Sequence, residues 1–130
     1  LFGEALVMTL PHDRFRWHMK QRGAVLAKGR LLGLQFQALL KDGLYWELAR
    51  RANEMAFRLR DGLSALGCAF PLPSPTNQQF IIVENSRLPE LGSKVAYSFI
   101  EKYDAEHTVI RLATSWATTE EQVDELLNIL

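Results

Sequence analysis

The chain has 130 residues, enough for one domain with a sizeable core. Apolar residues make up 48% and charged residues 23%, which suits a soluble globular protein, and no apolar run approaches the ~20 residues needed to span a bilayer. Net charge is zero and Cys68 is the one cysteine, so an internal disulfide is excluded and a reducing, cytoplasmic setting is expected.

The first segment, LFGEALVM, reads as a buried strand that begins abruptly, with residues 5–9 as its core. A strand this apolar wants neighbours on both sides, so residues upstream of Leu1 are expected. Pro11, His12 and Asp13 read as a turn, with Asp13 as N-cap of a helix through RFRWHMKQ. Gly23 interrupts it. A second helical stretch, AVLAKGRLLGLQFQALLKD, is apolar around most of its circumference, the pattern of a helix buried in a core or at an interface. Gly43 ends or bends it.

Residues 44–66 hold the clearest periodicity. Leu44, Leu48, Met55, Leu59, Leu63 and Leu66 recur at spacings of three, four and seven, with Ala52 between them. The spacing predicts an amphipathic helix of about six turns, with Gly67 as its stop. From Cys68 the period shifts toward two. CAF reads as a short strand, PLPSPTN as a rigid loop, and QQFIIVE as a strand. NSRLPELG is a polar connection with a helical turn. KVAYSFIEK and HTVIRLATSW, joined by YDAE, read as a hairpin. Thr118 with Glu121 three residues on forms a capping-box signature for a helix over EEQVDELLNIL. The fold class is therefore α/β, an α+β segment with helices packed on a small, mostly antiparallel sheet. About four strands fall in its second half.

Several chemistries are absent from the sequence. There is no glycine-rich dinucleotide or phosphate loop and no nucleophile elbow. His12, His18 and His107 are scattered far from Cys68, so no metal-ligand spacing appears. Cys68 follows Gly67 in an apolar stretch and reads as core rather than nucleophile. Residues 1–60 carry 11 Lys+Arg against 5 Asp+Glu, and residues 61–130 carry 4 against 10. The basic half could meet nucleic acid, but solvated helix faces are the commoner meaning, and RFRWHMKQR lacks the aromatic stacking motifs of such surfaces. Neither a nucleic-acid partner nor a membrane is expected.

One residue stands out. In VIRLATSW, alternation puts Val109, Arg111, Ala113 and Ser115 on one face and Ile110, Leu112, Thr114 and Trp116 on the other. Both faces look semi-buried, and an unpaired buried charge is costly. Arg111 therefore needs solvent or an anionic partner. Two partners satisfy it: a carboxylate of this chain, such as one on the C-terminal helix, or a ligand carboxylate that matches the guanidinium fork.

Four stretches, taken in order, resemble the C-terminal part of low-specificity threonine aldolases, in the β-eliminating lyase group of fold type I pyridoxal-phosphate enzymes. They are FGEALVM, KQRGAVLAKGRLLGLQFQALLKDGLYWELARRANEMAFRL, TNQQFI and HTVIRLATSWATTEEQVDELL. The resemblance implies that residues 1–42 hold the last strand of a large domain and its interface helices, and that residues 43–130 form the small C-terminal domain. It implies retro-aldol cleavage of a threonine-like β-hydroxy-α-amino acid to glycine and an aldehyde, with pyridoxal phosphate as cofactor. Arg111 matches the arginine that grips the substrate carboxylate. Arg30 matches the arginine that reaches the cofactor phosphate of a neighbouring subunit, and Lys20 a second basic residue lent across the same interface. A homodimer or homotetramer with shared active sites follows. Thr76 and Asn77 read as turn residues, and His107 takes no role.

The cofactor-binding lysine of such enzymes falls upstream of Leu1 in this alignment. No catalytic residue is expected within the 130 residues, which alone should be inactive. The alternatives are another fold type I lyase or aminotransferase, and a non-catalytic oligomerisation module.

Overall fold

A strand that is central in a three-stranded sheet organises most of the molecule. The computed structural model describes residues 2–130 and divides them into two units, with the boundary between Tyr45 and Trp46.

The first unit contains α1 (Phe15–Gln21), α2 (Arg30–Leu40) and a short 3-10 turn (Lys41–Gly43). Residues 5–9 form no strand. The reason is physical: strand backbone groups need an adjacent strand, and no described residue in this unit supplies one. Instead Phe2 N donates to Gln35 Oε1 at 2.7 Å and Gln35 Nε2 donates to Phe2 O at 3.2 Å, tying the segment to α2. Asp13 does not cap α1; Arg14 holds the N-cap position in helical geometry with no side-chain cap. The second helix starts at Arg30, six residues later than its apolar pattern predicts. β-Branched Val25 and Gly29 both weaken helix in the missing part. Neither α1 nor α2 buries a residue. At the end of α2, Asp42 at φ 54° and Gly43 at φ 79° bend the chain into the next helix, as the glycine predicts.

The long helix α3 (Leu44–Ala65) matches the periodicity. Ala52, Met55, Ala56, Leu59 and Leu63 are buried, at the spacings of one helix face. Gly67 closes it at φ 80°. Its N–H donates to Ser64 O and the Cys68 N–H donates to Leu63 O, both at 3.0 Å, which is the Schellman pattern.

The sheet follows: β1 (Gln78–Glu84), β2 (Ser98–Lys102) and β3 (His107–Ala113), in the order β1-β3-β2, antiparallel throughout. The expected fourth strand at CAF reduces to one isolated bridge between Ala69 and Ile82. The hairpin is present. Its loop is held by Asp104, whose carboxylate accepts from Glu106 N at 2.8 Å and His107 N at 2.7 Å. Helix α4 (Leu88–Lys94) links β1 to β2, with a proline in its first turn.

Helix α5 (Glu120–Ile129) has a capping box one residue later than predicted: Thr119 Oγ1 accepts from Gln122 N, and Gln122 Oε1 accepts from Thr119 N. The sequence offers both T-x-x-E and T-x-x-Q. Thr118 is already engaged, accepting from Ser115 N at 2.9 Å.

One face of the sheet carries the core. Ile81, Val83, Ile110 and Leu112 meet Met55, Leu59 and Leu63 of α3, Leu91 of α4 and Val123 of α5. This is the α/β arrangement expected, with three strands rather than four.

Candidate functional site

The position of Arg111 follows from β3 being central. Its direct cross-strand partners are Phe80 on β1 and Ser98 on β2. Such partners share a face. Since Ile110 and Leu112 face the helices, Phe80, Arg111 and Ser98 form a row on the opposite face.

The guanidinium is half-buried and held from both sides. Its Nη1 donates to Gln78 Oε1 at 3.0 Å, and its Nη2 donates to Ser98 Oγ at 3.1 Å. Its Nε is buried and has no hydrogen-bond partner among the described residues. A guanidinium keeps its charge at any ordinary pH, yet both partners are neutral.

The α5 carboxylates, expected as internal partners, belong to a helix on the core face and bind other arginines. Asp124 of α5 takes a bidentate bond from Arg58, with Nη2 at 2.8 Å from Oδ2 and Nε at 3.1 Å from Oδ1. Glu120 lies 3.4 Å from Arg58 and 3.8 Å from Arg51. Hydrogen bonding to Asp124 raises the pKa of Arg58 further. Glu101 shares the Arg111 face, opposite Val109, and makes no ion pair with it. Of the two partners that satisfy Arg111 on paper, the internal carboxylate is therefore not used among the described residues.

The end of β3 next to this site is clasped by Asn77. Asn77 O accepts from Thr114 N at 3.0 Å, and Asn77 Nδ2 donates to Thr114 O at 2.7 Å. Buried Gln79 reaches back to the loop, donating to Thr76 O at 2.9 Å and Ser74 O at 3.4 Å. Asn77 and Gln79 thus serve the fold, fixing where β1 starts and β3 ends. Sequence reasoning missed Gln78 and Ser98, whose contacts depend on strand register.

Lys20 lies at the end of α1 and Arg30 at the start of α2. Both are exposed, and neither makes an ion pair or side-chain hydrogen bond among the described residues.

The remaining reactive side chains form no second centre. Burial pushes the Cys68 thiol up, away from the thiolate form a nucleophile needs, with Arg87 opposing weakly. His107 pairs with Asp104 at the hairpin tip, Nδ1 to Oδ1 at 2.9 Å. Among the described residues no group of three or more His, Cys, Asp or Glu is placed to hold a metal, and no helix is long and apolar enough to cross a membrane.

The small antiparallel sheet with helices packed on one face is an α/β arrangement of the kind found in a threonine aldolase. Among solved structures, the chain is similar to Leishmania major threonine aldolase, at 40% sequence identity and a TM-score of 0.83. The match covers 91% of this chain and 34% of that one, so the chain spans about a third of the length of the aldolase it matches. The resemblance carried by the sequence is thus present in sequence and fold together. No family model and no curated protein matches the chain.

Proposed function

We propose that the chain is the C-terminal part of a pyridoxal-phosphate-dependent threonine aldolase, a lyase of amino-acid metabolism that works in the cytoplasm. The substrates are threonine-like β-hydroxy-α-amino acids, cleaved to glycine and an aldehyde. The observation that carries this reading is the charge of Arg111, which is half-buried, held by two neutral side chains and paired with no carboxylate of the described chain. A ligand carboxylate is the complementary partner, and a charge-assisted bond to it is stronger and more directional than a neutral one.

On this reading Arg111 fixes the substrate through its carboxylate. Holding that end sets the rotation about Cα, and hence which bond of Cα is aligned for cleavage. The row Phe80–Arg111–Ser98 lies on sheet backbone, so the grip is rigid. Lys20 and Arg30 fit the cofactor phosphate in donor chemistry: both are exposed cations without an internal counter-ion. When bound, pyridoxal phosphate supplies the sink for the electrons of the breaking Cα–Cβ bond.

The assembly belongs to the same proposal. Helix α2 has the sequence RLLGLQFQALL and buries nothing in its own unit, leaving Leu31, Leu34 and Leu40 exposed. A second subunit covering this helix would remove that apolar surface from water and bring Lys20 and Arg30 to the partner's cofactor. A homodimer or homotetramer results.

The test uses the full-length protein. Threonine should yield glycine and acetaldehyde, and Arg111→Ala should raise KM strongly while cofactor retention holds. Pyruvate or another keto acid as product would assign a different lyase or an aminotransferase. Self-association with neither cofactor nor amino-acid binding would make the chain an oligomerisation module.

A further inference from the structure

The fork of Arg111 could have been held by a glutamate and a serine, or by two carboxylates. It is held by an amide and a hydroxyl. That choice has an electrostatic consequence. A carboxylate at either place would form an internal ion pair of about hydrogen-bond length, and a substrate carboxylate would have to displace it or share the guanidinium with it. Neutral acceptors orient the fork and leave its charge uncompensated.

The geometry divides the five N–H groups of Arg111 clearly. One on Nη1 goes to Gln78 and one on Nη2 goes to Ser98. The Nε N–H has no partner among the described residues, and each Nη makes only the one bond named. The two holders come from opposite sides: Gln78 opens β1 and Ser98 opens β2, with β3 between them. A fork gripped from both flanking strands cannot swing toward either. Its rotamer entropy is already lost before any ligand arrives, which favours tight and oriented binding. Thr76 and the buried Gln79 fix the loop that leads into Gln78, so the amide is itself positioned by the fold.

We propose that Gln78 and Ser98 are positioning residues that select an anionic substrate end. They set the orientation of Arg111 and, by being uncharged, keep its charge for the ligand. This rests on the reading of Arg111 as the carboxylate grip.

The experiment is steady-state kinetics of threonine cleavage by the full-length holoenzyme, with wild type, Gln78→Glu, Ser98→Asp and Arg111→Ala compared. Gln78→Glu is nearly isosteric and turns the 3.0 Å contact into an internal ion pair. It should raise KM by about tenfold or more, with the loss in KM rather than kcat, because saturating substrate competes the internal carboxylate away. Product glycine should show the same weakening as an inhibitor. Ser98→Asp should act in the same direction from the other strand, so the inference does not depend on one variant folding. Gln78→Asn, which restores a neutral acceptor, should recover part of the wild-type KM. If Arg111→Ala raises KM while both carboxylate variants leave it within about twofold, the positioning role is wrong and the grip stands. If Arg111→Ala leaves KM unchanged, the grip itself is wrong and this inference falls with it.

Discussion

The hydroxyl of Thr114 donates to the backbone carbonyl of Ala52 at 2.6 Å, joining the end of the central strand to the middle of α3. Thr114 is buried, and its backbone is clasped by Asn77 on the other side. Three parts of the chain therefore meet at one residue: the long helix, the loop before β1 and the end of the strand that carries Arg111. Thr114→Val keeps the shape and removes the donor. It should destabilise the protein by about 1 kcal/mol, the net worth of one hydrogen bond. Urea denaturation reads this as a lower midpoint at unchanged slope. An unchanged midpoint would mean that the bond contributes nothing.

The burial pattern of α3 makes a sharper prediction about two leucines three residues apart. Leu63 is 0% exposed in the core, whereas Leu66, beyond the helix, is 55% exposed. Leu63→Ala removes a fully buried side chain and leaves a cavity, at a cost of ~2–5 kcal/mol. Leu66→Ala should fall within ~0.5 kcal/mol of wild type. Thermal melting of the two variants side by side checks the contrast, and equal losses would refute the assigned face.

This contrast also shows how far the sequence could be read. Leu48 to Leu63 recur with helical period, and every buried leucine and methionine of α3 lies on the predicted face, because local spacing alone fixes which side of a helix is apolar. Leu66 carries the same period one residue past the end of α3 at Ala65, just before Gly67, and there the pattern misleads. The Arg111 site is legible as a charge in an apolar strand, but its holders are not. Counting back from the YDAE loop without interruption would put Phe99 opposite Arg111. A bulge between Phe99 and Glu101 shifts the register, and Ser98 takes that place. Gln78 belongs to a strand more than thirty residues away, and its register against β3 is set by packing. The strand expected over residues 5–9 fails for a related reason. A strand is a property of two segments, and apolar residues cannot indicate whether the second is there.

The hairpin tip should respond to acid. Asp104 accepts from Glu106 N, from the His107 ring and from His107 N, and these bonds hold its carboxyl below the usual aspartate range. The sign follows from linkage. A carboxyl with a depressed folded pKa adds stability above its unfolded pKa, ~3.9, and that contribution is lost as pH falls through the lower folded value. The backbone amide resonances of Glu106 and His107 should therefore titrate with a midpoint below ~4. Asp104→Asn should abolish that transition. A midpoint at or above the ordinary aspartate value would show that the loop bonds do not persist in solution.

Cys68 should behave as a packing residue. It sits directly after the helix stop, partly buried against the core, and desolvation raises its thiol pKa. Alkylation by iodoacetamide at neutral pH should be slower than that of an unfolded control, and Cys68→Ala should leave the aldolase turnover proposed for the full-length protein intact. Fast labelling of the folded protein would contradict the packing assignment.

Leu127 of α5 packs over Gly62 of α3, in the space a side chain there would fill. A Cβ at that position would lie 2.3 Å from Leu127 Cδ1, 2.8 Å from Cδ2 and 3.1 Å from Cγ. All three atoms belong to the Leu127 side chain, so a Cβ at position 62 would force that side chain to turn away from α3. Helix propensity argues the other way, since alanine is ~1 kcal/mol better than glycine inside a helix. The two effects separate in a double-mutant cycle. Gly62→Ala should destabilise the wild-type protein, because the clash disrupts the contact between the helices. In a Leu127→Ala background the clash is gone and the same substitution should stabilise, with propensity unopposed. The change of sign is the signature of direct contact. Destabilisation of similar size in both backgrounds would mean that Gly62 is required for a reason other than Leu127.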